Sequence, residues 1–218
     1  MKGIWSYKNL QNIDSSFQLT LNEGCTPIRK IKLEDLEVVI KDENSNPSGS
    51  FKDRSLAYQL SYHMEKGVRN FVISSSGNAG ISAAAYAGLA GVKLDIFVSD
   101  NINPAKLEKL DVLKNDKIVI HSGPKPKSDA MKFATVTGAY NLRGSKDDTA
   151  IIGFKTIAYE LIEQYPEIDA IFLPCSSGTS ALGIYQGFVE NGKNVKIYID
   201  DDKIAVQNSC KELVYKCK

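Results

Sequence analysis

Lys52 stands where a turn-forming run, Asn46-Pro47-Ser48-Gly49-Ser50-Phe51, gives way to the helical spacing of Leu56, Leu60 and Met64. The positive end of a helix disfavours an ammonium and favours a neutral amine. A neutral amine can attack an aldehyde or take a proton from carbon. The position also suits a solvated lysine whose stem covers apolar surface, so position alone leaves both open.

Two further loops open helices. "SSSGNAG", residues 74–80, follows the apolar run "NFVIS" and precedes an alanine-rich helix marked by Ile81, Ala84, Ala85 and Leu89. "PCSSGTSALG", residues 174–183, follows "AIFLP" and precedes a helix containing Leu182, Tyr185, Gln186 and Val189. Small residues at such places leave backbone N–H groups and hydroxyls facing an anion. The same residues are ordinary turn and cap formers, which is the other reading of each loop. No Gly-Lys-Ser/Thr follows the third loop and no G-x-G-x-x-G occurs, so neither nucleotide motif is present. Two anion cradles and a nucleophilic lysine suit a substrate carboxylate, a cofactor phosphate and an imine, a combination that suggests pyridoxal 5'-phosphate.

The elements that must hold these loops read as alternating strands and helices. "EVVIKDE", "NFVIS", "LDIFVS", "KIVIHS", "AIFLP", "VKIYI" and "KIAVQ" read as strands, and Phe154, Ile157, Ala158, Leu161, Ile162 and Tyr165 form the clearest helical stripe. Alternation predicts an α/β fold of largely parallel sheets covered by helices on both faces. Breaks at "SGPKPKSD" (122–129) and "NLRGSKDD" (141–148) are candidate boundaries between two closely packed lobes.

Bulk properties exclude several classes. The 27 Lys and Arg nearly balance the 26 Asp and Glu, without a basic stripe for nucleic acid. No apolar run approaches the ~20 residues of a membrane span, and the first residues lack a signal-peptide core, so a soluble cytoplasmic protein is expected. Cys25, Cys175, Cys210 and Cys217 are scattered and the chain has two histidines, so no metal site is expected.

"NPSGSFKDR" and "SSSGNAGISAAAYAGLAG" resemble the lysine and asparagine loops of the fold-type II pyridoxal-phosphate enzymes, the tryptophan synthase β superfamily. "GIWSYKNL", "LTLNEGCTPI" and "GFKTIAYELIEQYP" are most similar to its threonine synthase branch. The likeness runs from residue 3 to about residue 210. It implies a tryptophan synthase β-like fold with a cofactor cleft between a larger lobe, 1–54 and 141–218, and a smaller one, 55–140.

By that resemblance Lys52 is the Schiff-base lysine and later the proton shuttle. Asn78 meets the phenolic oxygen of the cofactor and helps bind substrate. Ser75, Ser76 and Ala79 receive the substrate carboxylate, and Ser176, Ser177, Gly178, Thr179 and Ser180 cradle the cofactor phosphate. The implied reaction converts O-phosphohomoserine and water to threonine and phosphate, in threonine biosynthesis. A serine or threonine dehydratase, a cysteine-synthase-like β-eliminating enzyme and a non-catalytic binding relative are the alternatives. A small amino-acid substrate is the implied partner, and a homodimer is consistent with the superfamily. The third loop has Ser176, Ser177 and Thr179 where the family usually has more glycine. Family members continue well past the strand that "KIAVQ" resembles, and no partner for the pyridine nitrogen is assigned.

Overall fold

Helix α1 (Lys52–Glu65) is buried along almost its whole length, polar residues included. The sequence stripe Leu56, Leu60 and Met64 explains only one of its faces. Arg54, Ser55, Gln59, Ser61 and His63 are buried too, and each finds a hydrogen-bond partner. In the computed structural model, residues 3–34, 36–144, 147–174 and 177–200 are described, together with the backbone of 214–216.

The described residues form three sheets. A hairpin of β1 (Ile28–Leu33) and β2 (Leu36–Lys41) is antiparallel. The next sheet is parallel in the order β5-β4-β3-β6, built from β3 (Asn70–Ser74), β4 (Lys93–Ser99), β5 (Ile118–Gly123) and β6 (Tyr140–Asn141). Helices α2 (Asn78–Ala90), α3 (Pro104–Leu113) and α4 (Pro126–Thr137) connect its strands. The third sheet is parallel in the order β7-β8-β9, from β7 (Ala170–Pro174), β8 (Lys196–Asp200) and β9 (Val214–Lys216), with α5 (Thr149–Gln164) and α6 (Thr179–Glu190) preceding β7 and β8. The largely parallel α/β architecture is therefore the one the alternation of elements predicts.

Four readings need correction. Strand β1 goes unrecognised because Arg29, Lys30 and Lys32 dilute its apolar signal. Residues 122–129 are no boundary: Ser122 and Gly123 pair with β4, and the prolines lead into α4, whose Ala130 packs against Val72. Leu89, placed on the inner stripe of α2, is half exposed because the buried face runs through Ala83, Ala84, Ala87 and Ala90 and Leu89 lies off it. In α6 the inner face is Ala181, Ile184 and Phe188, while Val189 is exposed. The glycines decide this: a Cβ on Gly183 would lie 2.6 Å from the Ile151 carbonyl oxygen, so the backbone of α6 presses directly on α5. The proposed strand "KIAVQ" lies outside the described residues.

Among the described residues, sheet β7-β8-β9 is packed by helices on one face only. Ile171, Leu173, Ile197 and Ile199 pack against Phe154, Leu161, Ile184 and Phe188 of α5 and α6. The opposite face carries Phe172, 71% exposed, stacked on Tyr198 with centroids 4.7 Å apart.

The charged centre of the core is Arg54. Its guanidinium donates to both oxygens of Glu43 at 2.8 and 2.7 Å and both of Glu160 at 2.6 and 2.9 Å. It also donates to the hydroxyls of Thr156 and Thr26. Glu160 accepts in addition from Lys41 Nζ at 2.6 Å and from the Cys25 N–H at 2.7 Å. Burial alone would raise the Glu160 pKa, but Arg54 and Lys41 hold it down at about 2. Asp147 is likewise held at about 2, burial being outweighed by hydrogen bonds from His63, Thr149 and Gln59.

Removing one partner strands the other charge, so Glu160→Gln is expected to cost ~3–5 kcal/mol in urea unfolding. Both carboxyls are more acidic folded than unfolded, so the folded state binds fewer protons and stability rises with pH. Their contribution is complete above about pH 5 and is lost as pH falls toward about 2. Urea midpoints measured across that range should decline steeply, and less so in Glu160→Gln; a flat profile would contradict the assignment.

Close approach gives a second test. A Cβ on Gly153 would sit 2.1 Å from the Arg54 carbonyl oxygen. Gly153→Ala must push α5 off α1 and is expected to lower stability by ~1–3 kcal/mol, read from the same urea titration.

Candidate active site

The turn before α1 is built by its own side chains. Asn46 accepts the Gly24 N–H at 2.9 Å and donates to Glu43 at 2.8 Å, fixing the turn to the entry segment. Gly49 takes φ +83°, a conformation open to glycine, and reverses the chain. The Ser50 hydroxyl accepts the Lys52 N–H at 3.3 Å. Lys52 is the first residue of α1, and its Nζ lies 4.1 Å from the centroid of the Phe51 ring and 5.2 Å from that of Phe154. Two aromatic rings thus wall the amine.

The second loop leaves the C-terminal end of β3. The Ser75 N–H donates to the Phe97 carbonyl at 3.1 Å, and the Ser75 hydroxyl accepts from Gly77 N–H at 3.3 Å. The Ser76 hydroxyl accepts the Ser99 N–H at 2.8 Å and so anchors the loop to the end of β4. Asn78 and Ala79 are the first two residues of α2, and their N–H groups have no acceptor among the described residues. Lys106 of α3 reaches over this loop, its Nζ 3.6 Å from where a Cβ on Gly77 would stand.

The third loop follows β7. Gly178 adopts φ +79° at the cap of α6, and the Ser177 and Thr179 hydroxyls are 3.0 Å apart. The Thr179 hydroxyl donates to the Gly144 carbonyl at 3.3 Å, and Ser180 is buried. The N–H groups of Thr179 and Ser180 have no acceptor among the described residues. Ser176 lies outside those residues.

Contacts bring the three helix starts together. Ser55, one turn after Lys52, donates to the Ala150 carbonyl at 2.9 Å, and Gly144 sits against both Ala150 and Thr179. That links the starts of α1, α5 and α6. Asp53, beside Lys52, accepts the Ser82 hydroxyl at 2.6 Å and links α1 to α2 below Asn78. Asp53, Arg54, Ser82, Glu160 and Lys106 carry no role in the sequence reading. The available signal was Asp53-Arg54 at the start of a helix with Leu56, Leu60 and Met64, a charged pair drawn toward the interior.

The family model described as "Pyridoxal-phosphate dependent enzyme" matches residues 19–212. The chain belongs to this family. A threonine synthase of Halalkalibacterium halodurans is 28% identical over 180 residues, covering 79% of this chain and 50% of that protein. A threonine synthase of Methanocaldococcus jannaschii is 27% identical, over 86% and 49% respectively. The structure of maize serine racemase superposes with a TM-score of 0.72 at 24% identity, over 81% of this chain and 55% of that one, a likeness of fold. The chain spans about half the length of the curated relatives it matches.

The residues present fit pyridoxal 5'-phosphate. An amine walled by two rings is chemically suited to its aldehyde, and the start of α6 offers N–H groups and hydroxyls suited to its phosphate. Thr179→Val, which removes the hydroxyl that ties the start of α6 to Gly144 and Ser177, should weaken binding of pyridoxal 5'-phosphate about tenfold and leave binding of pyridoxal unchanged. Equal weakening of both, measured by absorbance titration, would remove the phosphate role.

Proposed function

We propose that this chain carries the Lys52-centred machinery of a threonine-synthase-like lyase, which releases phosphate from O-phosphohomoserine and adds water to give threonine. The observation that carries this reading is the Lys52 amine beside two rings at a helix start tied to two other helix starts whose first N–H groups have no acceptor among the described residues. The threonine synthases among the relatives support the choice of substrate.

In this reading Lys52 would hold the cofactor through its amine and, once free, would take the proton from the substrate α-carbon. The Phe51 and Phe154 rings lie beside that amine and limit where it can swing. The N–H groups of Asn78 and Ala79 and the Ser75 hydroxyl receive the carboxylate, which fixes the α-carbon. The Ser76 hydroxyl accepts from Ser99 N–H, which holds the loop in place and leaves its own proton to donate to the same carboxylate. The Asn78 side chain orients the cofactor ring through its phenolic oxygen. Thr179 and Ser180, with Ser177 and Gly178, hold the phosphate of the cofactor. Pyridoxal phosphate, when bound, supplies the electron sink for charge developing at the α-carbon. Lys106 adds a cation beside the carboxylate loop, which suits a substrate carrying more than one negative charge.

The test begins with covalent attachment. Pyridoxal 5'-phosphate added to the protein should give an absorbance band that borohydride fixes at Lys52 and that Lys52→Ala lacks. Absence of the band ends the enzyme reading. Phosphate and threonine should then appear together from O-phosphohomoserine; phosphate without threonine would remove the synthase assignment. Asn78→Ala should lower turnover at least tenfold while shifting unfolding by less than ~1 kcal/mol, since a first-turn residue is a minor part of helix stability. A parallel loss of folding would make Asn78 a helix-start residue only.

A further inference from the structure

The Asp53 carboxylate is fully buried immediately beside Lys52, and its partners are unusual for an acid in a first helical turn. A capping acid accepts from its own helix. Asp53 instead accepts the Ser48 N–H at 2.7 Å on one oxygen, and the Ser82 hydroxyl at 2.6 Å together with the Ser48 hydroxyl on the other. Ser48 lies in the turn that delivers Lys52. Ser82, itself fully buried, lies one helical turn beyond Asn78 on the same face of α2. One carboxylate therefore joins the lysine turn, the start of α1 and the helix that presents Asn78.

We propose that Asp53 is a positioning residue that sets the Lys52 amine against the Asn78 loop, acting through Ser48 on one side and Ser82 on the other. The role rests on the reading of Lys52 as the cofactor lysine. A helix N-terminus favours an acid electrostatically wherever its oxygens point, so the dipole does not explain these partners. Joining two separately delivered segments does: α1 and α2 belong to different helix–strand units, and Asp53–Ser82 spans them at the level of the site. A carboxylate accepting three hydrogen bonds in the interior also resists rotation, since every alternative rotamer abandons buried donors.

The experiment compares Ser82→Ala, Ser82→Thr and Asp53→Asn in the full chain. Amide hydrogen exchange is measured without cofactor, and affinity for pyridoxal 5'-phosphate is measured from the band fixed at Lys52. Ser82→Ala should speed exchange in both the 46–52 turn and the first turn of α2, and weaken cofactor affinity about tenfold, as for a hydrogen bond to a charged group. Ser82→Thr, which keeps the hydroxyl, should restore both within about twofold, an outcome that plain loss of packing does not give. Asp53→Asn should show the larger defect; if it fails to fold, the Ser82 pair decides. Unchanged affinity and exchange in Ser82→Ala overturn the positioning role, as does exchange that rises in one segment alone. If the wild-type protein itself forms no band, the Lys52 reading fails first and the positioning role falls with it.

Discussion

Arg54 is the constraint on which the arrangement depends. A guanidinium removed from water costs several kcal/mol unless its donors and charge are met, and here Glu43 and Glu160 meet them along two adjacent edges. The consequence is geometric as much as energetic. Glu43 comes from the segment after the β1–β2 hairpin, Glu160 from α5 and Arg54 from α1, so none of the three can shift without exposing a buried charge. Lys52 is two residues from this anchor. A reactive side chain at a helix start, where backbone hydrogen bonds are fewest, gains its fixed position from a neighbour that cannot move.

The strands and helices were legible where apolar periodicity decides structure, as in Phe71, Val72 and Ile73 of β3 or Phe154, Ile157, Ala158 and Leu161 of α5. Legibility failed where polar side chains are buried or backbones touch. Helix α1 reads as one-sided because Arg54, Gln59 and His63 count as solvent-facing until their partners, 84 to 106 residues away in sequence, are known. Helix α6 misleads for the opposite reason. Gly183 and Gly187 contribute no apolar signal, yet they form its contact face because they let the α5 backbone approach.

The candidate site was legible at its chemistry and obscure at its supports. Lysine at a helix start and two small-residue loops after strands can be read from residue type. What each hydroxyl does cannot, because Ser75 and Ser76 are equivalent in sequence but face different donors: Ser75 turns to Gly77 within the loop, and Ser76 to Ser99 on the adjoining strand. Lys106 was hidden by distance along the chain. It reaches the loop only because Asn103 caps α3, its side chain accepting the Ala105 N–H at 3.0 Å, and so starts that helix beside the end of β4.

Among the described residues the two parallel sheets differ in how their faces are covered. In β5-β4-β3-β6, buried residues on successive positions, as in Leu94 and Asp95 or Phe71 and Val72, show cover on both faces. In β7-β8-β9 burial alternates, with Leu173 turned to α5 and α6 and Phe172 open. Parallel sheets are almost always covered on both faces, because their crossover helices pack there and their ladder hydrogen bonds are shielded from water. Lys52 and Asn78 start α1 and α2, which share one buried cluster with the β5-β4-β3-β6 sheet. The start of α6 belongs to the second cluster, with α5, β7 and β8, so the two sets of helix starts are held by different cores and joined through Ser55, Ala150 and Gly144.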